Sequence, residues 1–579
     1  MRENLRQSLD RTVLILGAPG LVGAQVTRQI ARELGPDKIV VAALEEDEIK
    51  RFAGEVGEDF PFKEYGIDFV PEWGNIFVRS EFAKQKRAAL VEDPARRRAL
   101  YEDLFGSFLE AYERSEVVRL IREHRPDVVI DCINTATGIS YQDVDASCKE
   151  VRQDLDFVTS CLMGNDFESL QARREAMEES IEMLLVSQSI PQLIRHIRML
   201  HKAMVDNKTR IYIKVGTTGT GGMGLNIPYT HGEDKPSAKL MSKSSIGFAQ
   251  TGLMFLMART PGGPIVKEIK PGAMIGYKKV TVQPLRTRHK FIPQQQPLGS
   301  TLQLSLPEND FKDLGKLEMV GVDTGENGFF ARGEFEAVTS INQMEFVTPE
   351  EISRAIVLEI KGSNTGLDVI AAIDSSIMKP SYRAGYLRLS AIESLRRLED
   401  ETNSHSVATG ELGPPKLTKL LFEAHLLYKV SKDLKPPGKL RAIISQSAEE
   451  ISHRCERYLE YDEDLRNTIT SIGIPILLPA GDAMIRGPHI KVPEARLGTG
   501  ICVHDGDVEV WAANGWVDLR PRNIQLWQKR FSDMLESAEN IHLQGSAGIT
   551  MEAYRSEEIR IGEVVGWILN NEEKGYRIK

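Results

Sequence analysis

Thr12 to Leu16 (Thr-Val-Leu-Ile-Leu) is a continuous apolar run, the pattern of a parallel strand buried on both faces. It leads directly into Gly17-Ala-Pro-Gly-Leu-Val-Gly23 and then into a helical stretch, Ala24 to Leu34. Lys38 to Ala43 is a second β-branched run and closes on Leu44-Glu45-Glu46. The alternation continues down the chain. Ile67 to Val70 precedes Trp73-Gly74-Asn75-Ile76, and Asp127 to Asp131 precedes Cys132-Ile-Asn-Thr-Ala136. Arg210 to Val215 precedes a glycine-dense stretch, Gly216 to Gly224, and Ile265 to Ile269 precedes Lys270-Pro-Gly-Ala-Met-Ile-Gly276. Strands alternating with helices predict an α/β fold, a Rossmann-type doubly wound parallel sheet with ligands at the carboxyl ends of its strands.

Beyond residue 280 the pattern changes. Leu302–Leu306 and Lys316–Val322 read as strands, and Asn327-Gly328 is a hairpin signal. Thr348-Pro-Glu-Glu351 predicts a helix start with a capping box, carrying a buried face of Ile352, Ala355, Ile356, Leu358 and Ile360 and ending at Gly362. Residues 402–415 read as a linker or exposed loop, followed by mostly helical sequence to about 470. The division is a dinucleotide-binding domain over 1–280, a small substrate-side β region over 281–345, and an additional C-terminal α+β region over 346–579. That last region is mostly helical or mixed and holds no recognisable motif; dimerisation, substrate enclosure and partner binding are all open for it.

Composition narrows the function. The 579 residues are 41% hydrophobic and 27% charged, with a net charge of −10, which suits a globular chain and repels nucleic acid and anionic lipid. No run reaches the roughly 18 apolar residues of a membrane span, and Ile246–Ala258 reads as a buried helix. Five cysteines in no CxxC pair suggest reduced thiols and a cytoplasmic protein. No metal-binding, nucleophile-elbow or P-loop motif occurs, and Arg96-Arg97-Arg98 reads as a solvated helix face.

The chemistry lies in the first βαβ unit. Gly17 permits the tight turn, Gly20 lets backbone approach a pyrophosphate, and Gly23 lets helix and strand pack closely. The intervening Pro19, Leu21 and Val22 belong to the same cradle, and the helix N-terminus offers free N–H groups to phosphate. Glu45, 22 residues after Gly23, can accept both hydroxyls of an adenosine ribose, and its charge favours NAD over NADP. Glu46 or Asp47 could share that role.

These residues resemble the extended short-chain dehydrogenases/reductases, the group containing nucleotide-sugar epimerases and dehydratases. The glycine turn resembles that family's TGATGFIG turn. Gly74-Asn75-Ile76 falls where it places Gly-Asp-hydrophobe against the adenine, and Cys132–Ala136, with Asn134, where a strand end underlies the cofactor. Thr217 falls at the position of the catalytic Ser/Thr, with Thr218 or Thr220 as alternatives, and Asn226-Ile-Pro-Tyr229 continues that segment. Ser242-Lys243 is similar to the end of the Tyr-x-x-x-Lys motif, and Lys270-Pro271 to the start of its Arg-Pro segment. The resemblance spans about residues 10–280, with helical insertions near 80–120 and 141–190.

One position departs from the family: the motif's tyrosine is Lys239. Lys243 can still seat the nicotinamide ribose. An amine four residues from another cation should have a depressed pKa and could serve as base. Alternatively Tyr229 moves the proton, or the chemistry lies elsewhere. The resemblance implies an NAD(P)-dependent oxidoreductase acting on a hydroxyl or carbonyl carbon of a sugar-like, phosphorylated or nucleotide-linked small molecule, in a homo-oligomer. An epimerase or dehydratase returning its hydride internally, and a non-catalytic NAD sensor or scaffold, are the alternatives. Lys278, Lys279, Arg286, Arg288, His289 and Lys290 form a basic cluster suited to a phosphate or to a solvated loop.

Overall fold

The computed structural model describes residues 12–140, 144–164, 166–216, 238–270, 274–325, 328–340, 346–362, 382–411, 415–493, 500–504, 506–539 and 554–572. The chain divides into two compact units. The first comprises Met1–Gly222, Ser237–Ile275 and Val347–Lys379; the second comprises Met223–Pro236, Gly276–Phe346 and Pro380–Lys579.

The first unit is built on six strands: β1 (Thr12–Leu16), β2 (Lys38–Ala43), β3 (Asp68–Trp73), β4 (Val128–Asp131), β5 (Ile211–Val215) and β6 (Ile265–Ile269). Their order is β3-β2-β1-β4-β5-β6, every pairing parallel, with Thr12 beside Lys38, Val13 beside Val128, and Ile211 beside Ile265. This is the doubly wound dinucleotide-binding order, in which the strand sequence reverses beside β1. The predicted fold class holds. Alternate residues explain why the strands read as unbroken apolar runs. Val13, Ile15, Ile39, Val41, Val128 and Ile130 enter one core with helix α1 (Leu21–Glu33). Leu14, Leu16, Val40, Val129 and Tyr212 enter a second core, with helix Glu116–His124 and helix Ser189–Asp206.

Both expected insertions are helical. Pro94–Phe105 belongs to the first, and Val144–Gly164 packs on Phe167–Val186 in the second. Arg97 is not solvated as expected: it is 3% exposed, and its guanidinium meets Glu179 at 3.1 Å and Glu182 at 3.0 Å, joining the two insertions. The helix Ala238–Ala258 is buried along one face only; Met254 and Met257 are inside, while Phe248 and Leu256 are exposed.

Helix Pro349–Ile360 has its capping box, with Thr348 Oγ1 accepting from Glu351 N–H at 3.3 Å and Glu351 Oε2 accepting from Thr348 N–H at 3.0 Å. Gly362 follows at φ +77°, the left-handed conformation that suits glycine after a helix. The sequence grouped this helix with the C-terminal region; instead it packs on α1 in the first unit, and Lys361 pairs with Glu33 at 3.1 Å. Its apolar face finds the flank of the parallel sheet, which a boundary drawn from composition cannot reveal.

In the second unit the long strand Lys279–Phe291 pairs antiparallel with Asp313–Asp323, which turns back onto Phe329–Phe330. Asn327 of the expected hairpin signal lies outside the described residues; Gly328 sits at φ +103°. Helix Pro415–Lys432 runs through the core, buried at every position from Leu417 to Leu427. Within the segment expected to be a linker, residues 406–410 are interior: Ser406, Val407, Ala408 and Thr409 are 0–2% exposed. Its polar groups are satisfied by buried Glu334, whose carboxylate accepts from Thr409 N–H at 2.8 Å and Gly410 N–H at 3.3 Å. Ser, Thr and Gly make a tight internal turn as readily as a solvated one.

Candidate active site

The glycine turn is shaped by close backbone approaches. Gly17 has φ +74°, and its N–H donates to Ala42 O at 2.9 Å, tying the turn to β2. A Cβ on Gly23 would lie 2.3 Å from Gly17 O and 2.8 Å from Ala18 Cα, so the start of α1 could not sit against the turn with any side chain there. A Cβ on Gly20 would lie 3.3 Å from Gly17 O. Gly20 is the N-cap of α1, and no side chain caps it. The first N–H groups of α1 therefore have no intrahelical or capping partner, and the helix dipole adds partial positive charge at the same point. Pro19, Leu21, Val22 and the three glycines form one continuous cradle.

Glu45 terminates β2 as the exposed N-cap of helix Glu46–Asp59, its own side chain making no cap hydrogen bond. Asn75 and Ile76 follow β3. Asn75 Oδ1 accepts from Phe77 N–H at 2.9 Å and Asn75 N–H donates to Ala83 O at 2.7 Å, while Ile76 is buried. Asn134 follows β4, its carbonyl accepting from Gly138 N–H at 2.9 Å.

The carboxyl ends of β4, β5 and β6 hold a group that the sequence analysis passed over. Asp131, 2% exposed, accepts from Tyr212 Oη at 2.9 Å and meets Lys214 Nζ at 2.8 Å; Lys214 also donates to Ile133 O. On β6 and just after it, Glu268 and Lys270 are 1% and 5% exposed with Oε1 and Nζ 3.7 Å apart, and Thr251 Oγ1 donates to Glu268 Oε1 at 3.2 Å. Burial moves these groups toward their neutral forms. It raises the Glu268 carboxyl above its ordinary value, lowers the Lys270 amine, pushes the Cys132 thiol up to about 12 and lowers His196 to about 4. The Tyr212 phenol is raised well above its ordinary value by burial and by Asp131. The available signal was polar residues at alternate positions in and just after apolar runs (Tyr212 and Lys214 in β5; Glu268 in β6 and Lys270 after it).

Of the expected chemistry, Thr217, Tyr229 and Pro271 lie outside the described residues. Lys239 and Lys243 both fall on helix Ala238–Ala258, and the side chain of Lys239 is likewise outside the description. Lys270 joins the strand-end group. The basic cluster after residue 280 is engaged within its own unit: Arg288 donates to Ile472 O at 2.8 Å, His289 meets Asp313 at 2.7 Å, and Lys290 pairs with Asp464. Among the described residues Glu72, Glu123 and His124 come together as three ligand-type side chains, and Arg119 already pairs with both carboxylates, at 3.0 and 2.6 Å. No described helix is long and apolar enough to cross a membrane.

Residues 288–573 match the family model described as Beta-methylindole-3-pyruvate reductase C-terminal domain. No curated protein matches the chain. Solved structures similar to it include a short-chain dehydrogenase from Sphingobium yanoikuyae in complex with NADPH, at 15% identity, covering 45% of this chain and 71% of that one, with TM-score 0.21. The Bordetella bronchiseptica enzyme WbmH in complex with NAD+ is similar at 13% identity over 64% of this chain and 84% of that one, with TM-score 0.25. The fold assignment rests on the strand order and the glycine turn themselves. The chain thus carries a unit with the doubly wound dinucleotide-binding strand order and, over residues 288–573, a region similar to the C-terminal domain of a Beta-methylindole-3-pyruvate reductase.

Proposed function

We propose that the protein is a nicotinamide-dinucleotide-dependent oxidoreductase that reduces a carbonyl carbon of a small molecule. The observation that carries this reading is the glycine cradle under an uncapped helix N-terminus beside β1 of a 3-2-1-4-5-6 sheet. Gly17, Pro19, Gly20, Leu21, Val22 and Gly23 would hold the pyrophosphate. Glu45 would accept the ribose hydroxyls and favour NAD over NADP, and Asn75 and Ile76 would border the adenine. Asn134, Lys243, Lys270 and Pro271 would line the nicotinamide side. When bound, the dinucleotide supplies the hydride. Thr217 would polarise the substrate oxygen, and Lys239 or Tyr229 would move the proton.

The name of the family model over residues 288–573 points to a 2-oxo acid bearing an aromatic group as the first substrate class to test. The resemblance of the first 280 residues to nucleotide-sugar enzymes supports a second class, sugar nucleotides. The experiment is NADH and NADPH consumption, followed by absorbance, with β-methylindole-3-pyruvate and with a panel of nucleotide-linked keto-sugars. Turnover with the oxo acid supports the first class, and turnover with a sugar nucleotide alone moves the assignment to the second. Dinucleotide binding with no turnover on either would favour the non-catalytic sensor.

A further inference from the structure

The carboxyl of Glu268 is 1% exposed and uses only one of its oxygens. Oε1 accepts from Thr251 Oγ1 and faces Lys270 Nζ; Oε2 is buried with no hydrogen-bond partner among the described residues. A buried acceptor without a donor is destabilising, and such groups persist where they have chemical work. The pair lies against the backbone at the end of β5. A Cβ on Gly216 would come within 2.3 Å of Glu268 Oε1 and 3.1 Å of Lys270 Cε, so glycine at this position is what lets the pair reach the strand end. The carboxyl ends of the strands are where doubly wound sheets bind their ligands, and the next residue in the chain is Thr217.

We propose that Glu268 and Lys270 form a proton-holding pair for the dinucleotide site, in which Glu268 sets the charge of the Lys270 amine that supplies and takes back the proton of the reduction. The inference rests on the oxidoreductase reading above. In the forward direction the dinucleotide, when bound, would supply hydride for the carbonyl carbon, leaving the substrate oxygen with an added electron pair that needs a proton. That oxygen takes a proton from the Lys270 ammonium. The resulting amine faces the Glu268 carboxylate, and one proton taken from water recharges the pair. Thr251 holds the same carboxyl oxygen, Oε1, that faces Lys270, and Glu268 acts through Lys270 as a positioning residue. The charged and titratable groups that act on the pair are Lys214 and Tyr212 on β5; behind them Asp131 and Cys132 at the end of β4 and His196 on helix Ser189–Asp206 interact with Lys214 and Tyr212 or with one another. From helix Ala238–Ala258 the pair meets the Thr251 hydroxyl and the Phe248 ring, the latter 5.6 Å from Lys270 Nζ.

The test uses the full chain without cofactor. Competitive acetylation across pH, read peptide by peptide by mass spectrometry, gives the titration midpoint of Lys270. Glu268→Gln removes the carboxylate that favours the ammonium, so the midpoint should fall by about one pH unit, a roughly tenfold faster reaction at a fixed pH below it. Glu268→Asp, with its charge one methylene further away, should shift the midpoint less in the same direction; it also carries the test if the amide variant does not fold. A second arm titrates NAD+ by calorimetry in two buffers of different ionisation enthalpy. Wild type should exchange a proton on binding, and Glu268→Gln should bind with similar affinity and exchange less. An unmoved Lys270 midpoint in folded variants, with NAD+ still bound, overturns the pair alone. Absence of dinucleotide binding by wild type overturns the oxidoreductase reading, and the pair's role with it.

Discussion

Each unit buries a Lys–Glu pair, and the two pairs are finished differently. In the second unit Lys419 and Glu423 sit one turn apart on helix Pro415–Lys432, each 3% exposed. Glu423 Oε1 accepts from Lys419 and from Asp518 N–H at 2.8 Å, and Oε2 accepts from Trp527 Nε1 at 2.8 Å. Both carboxylate oxygens are in use, and Asp518 and Trp527 thereby tie two separate segments to one helix. Glu268 is 1% and Lys270 5% exposed, yet among the described residues Glu268 Oε2 has no partner. A buried charge pair whose hydrogen bonds are complete is scaffold, because every donor it engages holds an element in place. One left incomplete at the carboxyl edge of a doubly wound sheet is placed for a ligand's chemistry.

The largest expected effect tests the scaffold half of that contrast. Lys419→Met leaves a buried carboxylate facing an apolar side chain and should cost about 3–5 kcal/mol of stability in urea unfolding. Replacing Glu423 as well should recover only part of this, because Asp518 N–H and Trp527 Nε1 then lose their acceptor. Lys270→Met should cost clearly less, since Glu268 is already biased toward its neutral form. Equal losses at positions 419 and 270 would break the contrast and make both pairs scaffold.

Acidification gives the next effect, in the first unit. His196 is 6% exposed, and burial lowers it from 6.5 to about 4. Below pH 6.5 the unfolded chain binds a proton there that the folded chain refuses until about pH 4. Its contribution is therefore complete above pH 6.5 and is lost as pH falls between those values, to a total of about 3 kcal/mol. Unfolding measured at pH 7 and pH 5 should show this loss, and His196→Leu should flatten it.

A smaller effect concerns the cradle. A Cβ on Gly20 meets only Gly17 O, at 3.3 Å, a contact the turn can absorb by a slight shift. Gly20→Ala should keep the melting temperature within a few degrees and weaken dinucleotide binding about tenfold, roughly 1.4 kcal/mol. Gly23→Ala, with its 2.3 Å contact, should lose stability as well.

What the sequence showed was what is contiguous. The β1–turn–α1–β2 unit and its closing Glu45 lie within 34 residues, and strand, turn and helix each carry their own local signal. The capping box at Thr348 was legible for the same reason. The strand-end group draws on residues 131, 212, 214, 251, 268 and 270, and no spacing rule joins them; only the parallel register that sets Asp131 beside Lys214 does so. The position of helix Pro349–Ile360 was illegible because its partner, α1, precedes it by more than 300 residues. Residues 406–410 misled because a buried turn and a solvated loop use the same small polar residues, and the deciding group, Glu334, lies some 75 positions away.

The central claim is that the first unit binds a nicotinamide dinucleotide through its glycine cradle and Glu45. Calorimetric titration of cofactor-free protein with NAD+ and NADP+, beside Glu45→Ala, tests it most directly. The account predicts NAD+ binding that is tighter than NADP+ binding, with about a tenfold loss of NAD+ affinity in the variant. Binding of neither dinucleotide by the folded protein would contradict it.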